Sequence, residues 1–321
     1  MRDSFSGQGL FSYCPRKWQL LKLLDTGQPL ERERSVHLMY GTAVGAGVAE
    51  LLLSGGDLDR AVARTFQHWD FGLESGVKRL ETAVAGLRSL HAQFPYDEFE
   101  PVLLPNGAPA AEVGGRIWLD DEGTQDYYVL FIDVVLRRKA TGQLVVIECK
   151  TTKRAGDDMA PYYVNSPQSV MYSLILPRLL NSDPRADWGT VYVVLQATTV
   201  WNARAHILEI EHTYVERANV LLGVLLNYEH VQRMREYRCF PKQHTGECMS
   251  YNRLCEFFGV CDHLALTCPE LSVEDQNKLD DTREGQIMVD LHIQELLRDA
   301  YDGPLEPTQD SGGTDVTTGA D

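Results

Sequence analysis

The chain has 321 residues, 44% of them apolar, and a formal net charge of -16. That length allows one large domain or two smaller ones, and the composition is that of an ordinary globular protein. No apolar run reads as long enough to cross a bilayer, and MRDSFSGQGLFSYCPRKW at the start has no apolar h-region. The sequence therefore predicts a cytoplasmic protein with no membrane partner. From Glu270 onward there are 14 acids against 3 bases, so most of the acidity sits at one end. The remaining body is near neutrality and can still carry a local basic strip.

In chain order, residues 8–24 read as a short helix with a Cys-Pro entry, and 40–53 as a glycine-rich helix. Residues 57–94 read as one or two amphipathic helices. A β-rich block follows: 110–120, 127–138 and 143–150 look like consecutive strands, with KATG (139–142) as a hairpin turn. A helix over 161–180, starting near Ser166-Pro167, precedes a strand at 190–199, a further strand at 203–211 and a long helix at 214–236. The order predicts a mixed α/β core spanning residues 1–269. It would be followed by an acidic helical extension (270–303) and a disordered acidic tail (304–321).

The strand VVIECK carries two charges where a core strand wants none. Alternation puts Glu148 and Lys150 on one face. With the turn centred on Ala140-Thr141, Asp133 falls opposite Glu148, with β-carbons about 5 Å apart. Two close carboxylates repel, and a hard divalent cation such as Mg²⁺ or Mn²⁺ relieves that repulsion. Such an ion can activate water and neutralise phosphate charge, with Lys150 stabilising developing negative charge. The plain alternative is a surface salt bridge at a hairpin end.

FID-x14-ECK within strand, hairpin and strand resembles the PD-(D/E)XK nuclease superfamily. Gln168 and Tyr172, in QSVMY on the following helix, match the Q-x-x-x-Y element of its RecB-like and Cas4-like branch, and at i, i+4 they share a helix face. The resemblance implies a restriction-endonuclease-like α/β core, a mixed central sheet flanked by helices, and metal-dependent DNA phosphodiester hydrolysis. It implies an exonuclease on single strands or ends, in recombination, repair or phage DNA metabolism, with a helicase or recombination protein as partner. Asp133 and Glu148 would hold the metal with the carbonyl of Cys149, Lys150 would be catalytic, and Gln168 and Tyr172 would position substrate. The rival is a catalytically silent nucleic-acid-binding subunit.

Seven cysteines, four of them within 248–268, argue for a metal site before a disulfide framework. One cysteine in a Cys-Pro context near the N-terminus and three near the C-terminus resemble the AddB-like members. By that resemblance Cys14, Cys248, Cys255 and Cys261 would hold a [4Fe–4S] cluster in a cysteine-rich C-terminal lobe (about 239–268). Zinc takes four thiolates equally well. Cys239 or Cys268 in place of Cys14 would make the site local.

One departure stands out. Relatives carry G-x-x-x-H on the early helix, whereas here Gly41 is followed by Gly45. Glu50 or Glu112 could substitute as a ligand. Arg16, Lys17, Arg137, Arg138, Lys139, Lys153 and Arg154 are candidates for a phosphate track, and Trp18, Tyr162 and Tyr163 for base stacking.

Overall fold

A computed structural model describes residues 2–26, 35–120, 126–153, 160–164, 166–180, 182–183, 188–242, 248–250, 253–272 and 288–300. Arg154 and the expected tail over 304–321 lie outside the described residues.

The N-terminal helix of the sequence reading is two helices, α1 (Phe5–Tyr13) and α2 (Pro15–Lys22). Cys14 separates them. Its backbone is extended, with φ -155°, and it closes α1 and caps α2, whose first position is taken by Pro15. α3 (Val36–Leu53), α4 (Leu58–Gln67) and α5 (Leu80–His91) follow. By length and hydropathy alone α3 meets the criterion for a membrane span, contrary to the sequence reading. Its buried residues, however, pack on α4, α5 and one face of the sheet.

The strands are β1 (Arg2–Ser4), β2 (Phe99–Pro101), β3 (Ala111–Trp118), β4 (Tyr127–Arg138), β5 (Leu144–Thr152), β6 (Trp188–Thr199) and β7 (Asn202–His212). A short pair, β8 (Met249–Ser250) and β9 (Arg253–Leu254), stands apart, and β10 (Met288–His292) rejoins the main sheet. Between β5 and β6 come α6 (Ala160–Val164) and α7 (Pro167–Leu180). After β7 come α8 (Tyr214–Glu236), α9 (Cys261–Thr267) and α10 (Ile293–Ala300). The path across the sheet is β10-β3-β4-β5-β6-β7, with β1 and β2 also pairing with β4. The β3–β4–β5 and β6–β7 pairings are antiparallel, whereas β5–β6 and β10–β3 are parallel. The parallel step from β5 to β6 needs a crossover, which α6 and α7 supply.

Both faces of this mixed sheet are covered. α7, α8 and α10 close one face through Met171, Ile175, Leu221 and Leu297, and α3, α4 and α5 close the other through Val44, Leu51, Ala61 and Leu87. The acidic extension is thus part of the core. Among its described residues, 288–292 form a strand parallel to β3 and 293–300 a helix, with Leu291, Ile293, Leu296 and Leu297 buried. The alternation of acids and apolar residues over 288–297 hid this from a charge-based reading.

Leu297 is 1% exposed in the layer shared with α8. We expect Leu297→Ala to cost about 2–5 kcal/mol of stability. Urea unfolding monitored by circular dichroism measures it, and a change near zero would show that the C-terminal segment is dispensable.

Candidate active site

The centre of the molecule is the point where β4 and β5 part. Their ladder pairs Arg137 with Leu144 through to Val134 with Ile147. Continued by one position, it sets Asp133 opposite Glu148, as the KATG turn predicts. The next N–H, that of Cys149, would in a regular ladder go to the Ile132 carbonyl. Instead it donates to the Asp133 carboxylate at 2.8 Å. The side chain has taken the place of a backbone acceptor. Ile132 and Val135 consequently face the same core layer although three residues apart, a phase slip of the kind a bulge produces.

Glu148 and Lys150 face α7. The Lys150 Nζ lies 2.5 Å from Glu148 Oε1 and donates to Gln168 Oε1 at 2.8 Å. The Gln168 Nε2 donates to the Tyr172 hydroxyl at 2.5 Å. Gln168 and Tyr172 share one face of α7, so one helix turn carries both. Glu148 is 3% exposed, and its Oε2 is buried without a hydrogen bond of regular geometry among the described residues.

Electrostatics follow from this burial. Desolvation and the nearby Glu148 charge push the Asp133 carboxyl up to about 8, against the opposing pull of the Cys149 N–H and Lys150. Burial raises Glu148 as well, opposed by the charge and hydrogen bond of Lys150 and by the Tyr172 hydroxyl. For Lys150 burial acts downward, but the charge and hydrogen bond of Glu148 outweigh it, and the ammonium stays above its ordinary range. Two buried acids, one with an oxygen lacking a regular hydrogen bond, fit a hard divalent cation by chemistry and by charge.

α7 is held from behind by a buried polar network that sequence reading missed. The Tyr192 hydroxyl donates to Ser169 Oγ at 3.0 Å, and Ser169 Oγ lies 3.3 Å from His212 Nε2. Tyr192 is the parallel-register neighbour of Glu148. Its ring stacks on Tyr163 at 4.7 Å.

The candidates for the missing histidine separate clearly. A Cβ at Gly45 would meet nothing within 4 Å, so the position is open at its base. Glu50 is held by Arg60 at 2.5 Å. Glu112 lies across from Asp133 in the β3–β4 register, between the pairs Ala111–Val134 and Val113–Ile132. Its φ of +52° is in the left-handed region, at a cost of about 1–3 kcal/mol for a residue with a side chain. Its charge contributes to raising Asp133.

The expected basic and aromatic track is largely absent from this site. Arg137 pairs with Glu100, Arg138 with Glu98 and Glu209, and the Lys139 ammonium donates to the Asp97 carbonyl, all at the hairpin end of β4 and β5. Lys17 pairs with Glu256 at 3.1 Å. Trp18 is fully buried between Phe11 and Phe240, and Tyr163 is buried too. Of the three aromatics only Tyr162, 63% exposed, could meet a base.

None of the seven cysteines is in a disulfide. The segments bearing the expected cluster ligands are joined. Arg16 N donates to the Pro241 carbonyl at 3.2 Å, Cys255 N to that of Cys248 at 2.9 Å, and Leu271 N to that of Leu23 at 2.7 Å. Cys255, Cys261 and Cys268 pack around Leu20, Leu24 and Phe257, whereas Cys239 is exposed. Among the described residues, no group of three or more His, Cys, Asp or Glu side chains is gathered as a metal site requires.

The family model of the PD-(D/E)XK nuclease superfamily matches residues 4–262. A crystal structure described as a "Putative exonuclease" from Eubacterium rectale is similar, at 13% identity and a TM-score of 0.47. The similarity covers 79% of this chain and 88% of that one. A search of the curated proteins found no match. The chain belongs to the PD-(D/E)XK nuclease superfamily, and so to a group of phosphodiester hydrolases.

The Asp133 shift sets a pH dependence for the metal-free protein. The folded value of about 8 lies above the ordinary 3.8, so the unfolded chain ionises first. Stability present below about pH 4 is then lost progressively as pH rises to about 8, by at most about 1.4 kcal/mol per pH unit. Urea unfolding with chelator across this range should show a steeper decline for the wild type than for Asp133→Asn. Equal slopes would mean that Asp133 ionises as freely as in water.

Proposed function

We propose that this chain is a metal-dependent deoxyribonuclease, acting as an exonuclease on single strands or DNA ends in recombination, repair or phage DNA metabolism. The observation that carries this reading is the charged set built across β4, β5 and α7. Lys150 is fixed between Glu148 and Gln168, beside a buried carboxylate oxygen that makes no hydrogen bond of regular geometry among the described residues.

In this reading Asp133 and Glu148, with the Cys149 carbonyl, would hold Mg²⁺ or Mn²⁺. Glu112 is a better-placed auxiliary acid than Glu50, which is spent on Arg60. Such an ion, when bound, supplies charge neutralisation at the phosphate and a lowered pKa for water. The protein's own groups do the rest. The Lys150 ammonium orients the attacking water or stabilises the charge that develops on the phosphate. Gln168 fixes the direction of that ammonium, and Tyr172 fixes Gln168, so the lysine is aimed before substrate arrives. Burial of the site strengthens each of these interactions.

The reading extends to the cysteine lobe. The joined N- and C-terminal segments support a [4Fe–4S] cluster on Cys14, Cys248, Cys255 and Cys261, or zinc on the same thiols. The side chains would have to re-aim to hold either. Packing of Cys268 beside Cys255 and Cys261 keeps it a candidate ligand. A helicase or recombination protein would be the partner. The open space at Gly45 favours a second reading, a weakly active nucleic-acid-binding subunit.

End-labelled single- and double-stranded DNA tests the enzyme directly. Cleavage should require Mg²⁺ or Mn²⁺ and stop with EDTA. Lys150→Ala should lower the rate by about 10²–10⁴-fold without unfolding the protein. Absence of cleavage by folded wild type would pass the lead to the binding-subunit reading.

Metal content separates the lobe's two chemistries. Anaerobically purified protein with a cluster should be brown, carry about four irons and absorb near 400 nm. Colourless protein with stoichiometric zinc would replace the cluster with a zinc site.

A further inference from the structure

The α3 side of β5, opposite Lys150, carries cations that the sequence analysis did not connect. Lys78 Nζ lies 2.6 Å from His37 Nδ1. An ammonium has no lone pair to offer, so Nδ1 accepts and the ring's other nitrogen carries the proton. The same ammonium sits 5.5 Å over the ring of Tyr40. Partial burial, and next the charge of Lys153, hold Lys78 below its ordinary range. Among the described residues neither lysine has a carboxylate ion-pair partner. The charge of Lys153 is thus felt at Lys78 without a carboxylate ion pair to either among the described residues. That is an unfavourable arrangement in a protein alone and a favourable one around an anion.

The cluster is held in place by the fold. Lys78 closes a tight turn in which its N–H donates to the Ser75 carbonyl at 3.0 Å, with Gly76 at φ +57°. Of the two acids nearest in sequence, Glu81 makes no ion pair with Lys78 among the described residues, and Glu74 is occupied: its Oε1 accepts from Trp69 Nε1 and from Leu80 N. Trp69 packs edge-on against Tyr40 at 5.8 Å. His37 lies in the first turn of α3, behind the Ser35 cap, where the helix dipole favours negative charge. The 18 residues of α3 make that dipole substantial.

Position ties the cluster to the site. Lys153 is three residues beyond Lys150 at the end of β5, roughly 10 Å along a strand. That is about three nucleotides of a stacked single strand. Tyr40 adjoins Cys149, whose charge contributes to raising its hydroxyl pKa after burial. The cations therefore flank the strand that carries Glu148 and Lys150.

We propose that Lys78, His37 and Lys153 form a phosphate-binding subsite that grips the nucleic-acid backbone a few nucleotides from the scissile bond. The proposal rests on the nuclease reading for its ligand, yet it is testable without turnover. Binding of a fluorescein-labelled oligo(dT) is followed by anisotropy in EDTA over a salt series, with wild type, Lys78→Gln, Lys153→Gln and the double variant. Lys139→Ala, at the far hairpin, is the control. Each lysine removed should weaken binding and reduce the slope of log K against log salt by about 0.7, and Lys139→Ala should change neither. Lys153 is exposed, so its variant stands even if Lys78→Gln disturbs the turn.

Unchanged affinity and slope in the double variant would overturn the subsite, even if wild type cleaves DNA normally. Failure of wild type to cleave, with the slope change present, would sink the enzyme and leave the subsite standing. Inorganic phosphate distinguishes the source of the anion. If the double variant loses only its sensitivity to millimolar phosphate and keeps its affinity for oligo(dT), the site takes free phosphate and the proposal fails.

Discussion

Taking two carboxylates out of water within one hairpin is the constraint around which this molecule is arranged. Asp133 and Glu148 cannot both ionise cheaply in that position. The protein answers with one cation, Lys150, and one backbone donor, the Cys149 N–H. Neither is sufficient, because Asp133 still stands near 8 and an oxygen of Glu148 is left without a regular hydrogen bond among the described residues. The polypeptide thus leaves an electrostatic deficit that a divalent cation is suited to fill. It has also spent backbone regularity to do so, by interrupting the β4–β5 ladder and holding Glu112 in a left-handed conformation.

The two faces of the sheet divide the labour around that centre. α7 brings Gln168 and Tyr172 to Lys150, and the Ser169, Tyr192 and His212 network fixes α7 in turn. On the opposite face Cys149 points into the apolar layer of α3 and α5, and the cations around Lys78 gather at its margin. Chemistry and backbone recognition would then come from opposite sides of a single strand. The basic residues of the β4–β5 turn take no part, because acids of neighbouring segments have already claimed them.

Legibility in sequence followed the range of the interaction. The hairpin register could be read because the turn is short and the alternation strict, so Asp133, Glu148 and Lys150 converge as local pattern demands. The helix at 214–236 was equally plain, since Thr213 and Glu216 form a capping box at its start. The cluster of Lys78, His37 and Lys153 was not, because it joins a turn, a helix start and a strand end far apart in the chain. Trp18 looked like a surface aromatic beside two cations, whereas Phe11 and Phe240 enclose it. The strand at 288–292 was masked by its charged neighbours. Its partner on β3 carries Gly114 and Gly115, whose lack of side chains says little about which strand lies alongside.

That last strand has a consequence for how the protein is made. β10 docks on β3, which is synthesised long before it, and α10 then seals the layer over α8. Until the ribosome has released this segment, β3 is an open edge and part of the hydrophobic layer beneath α8 is uncovered. A nascent chain can therefore assemble the hairpin bearing Asp133 and Glu148 but not the finished sheet around it. Completion of the sheet around that hairpin waits for residues 288–300, and a chain cut just before residue 288 would leave this edge and layer exposed and prone to aggregate.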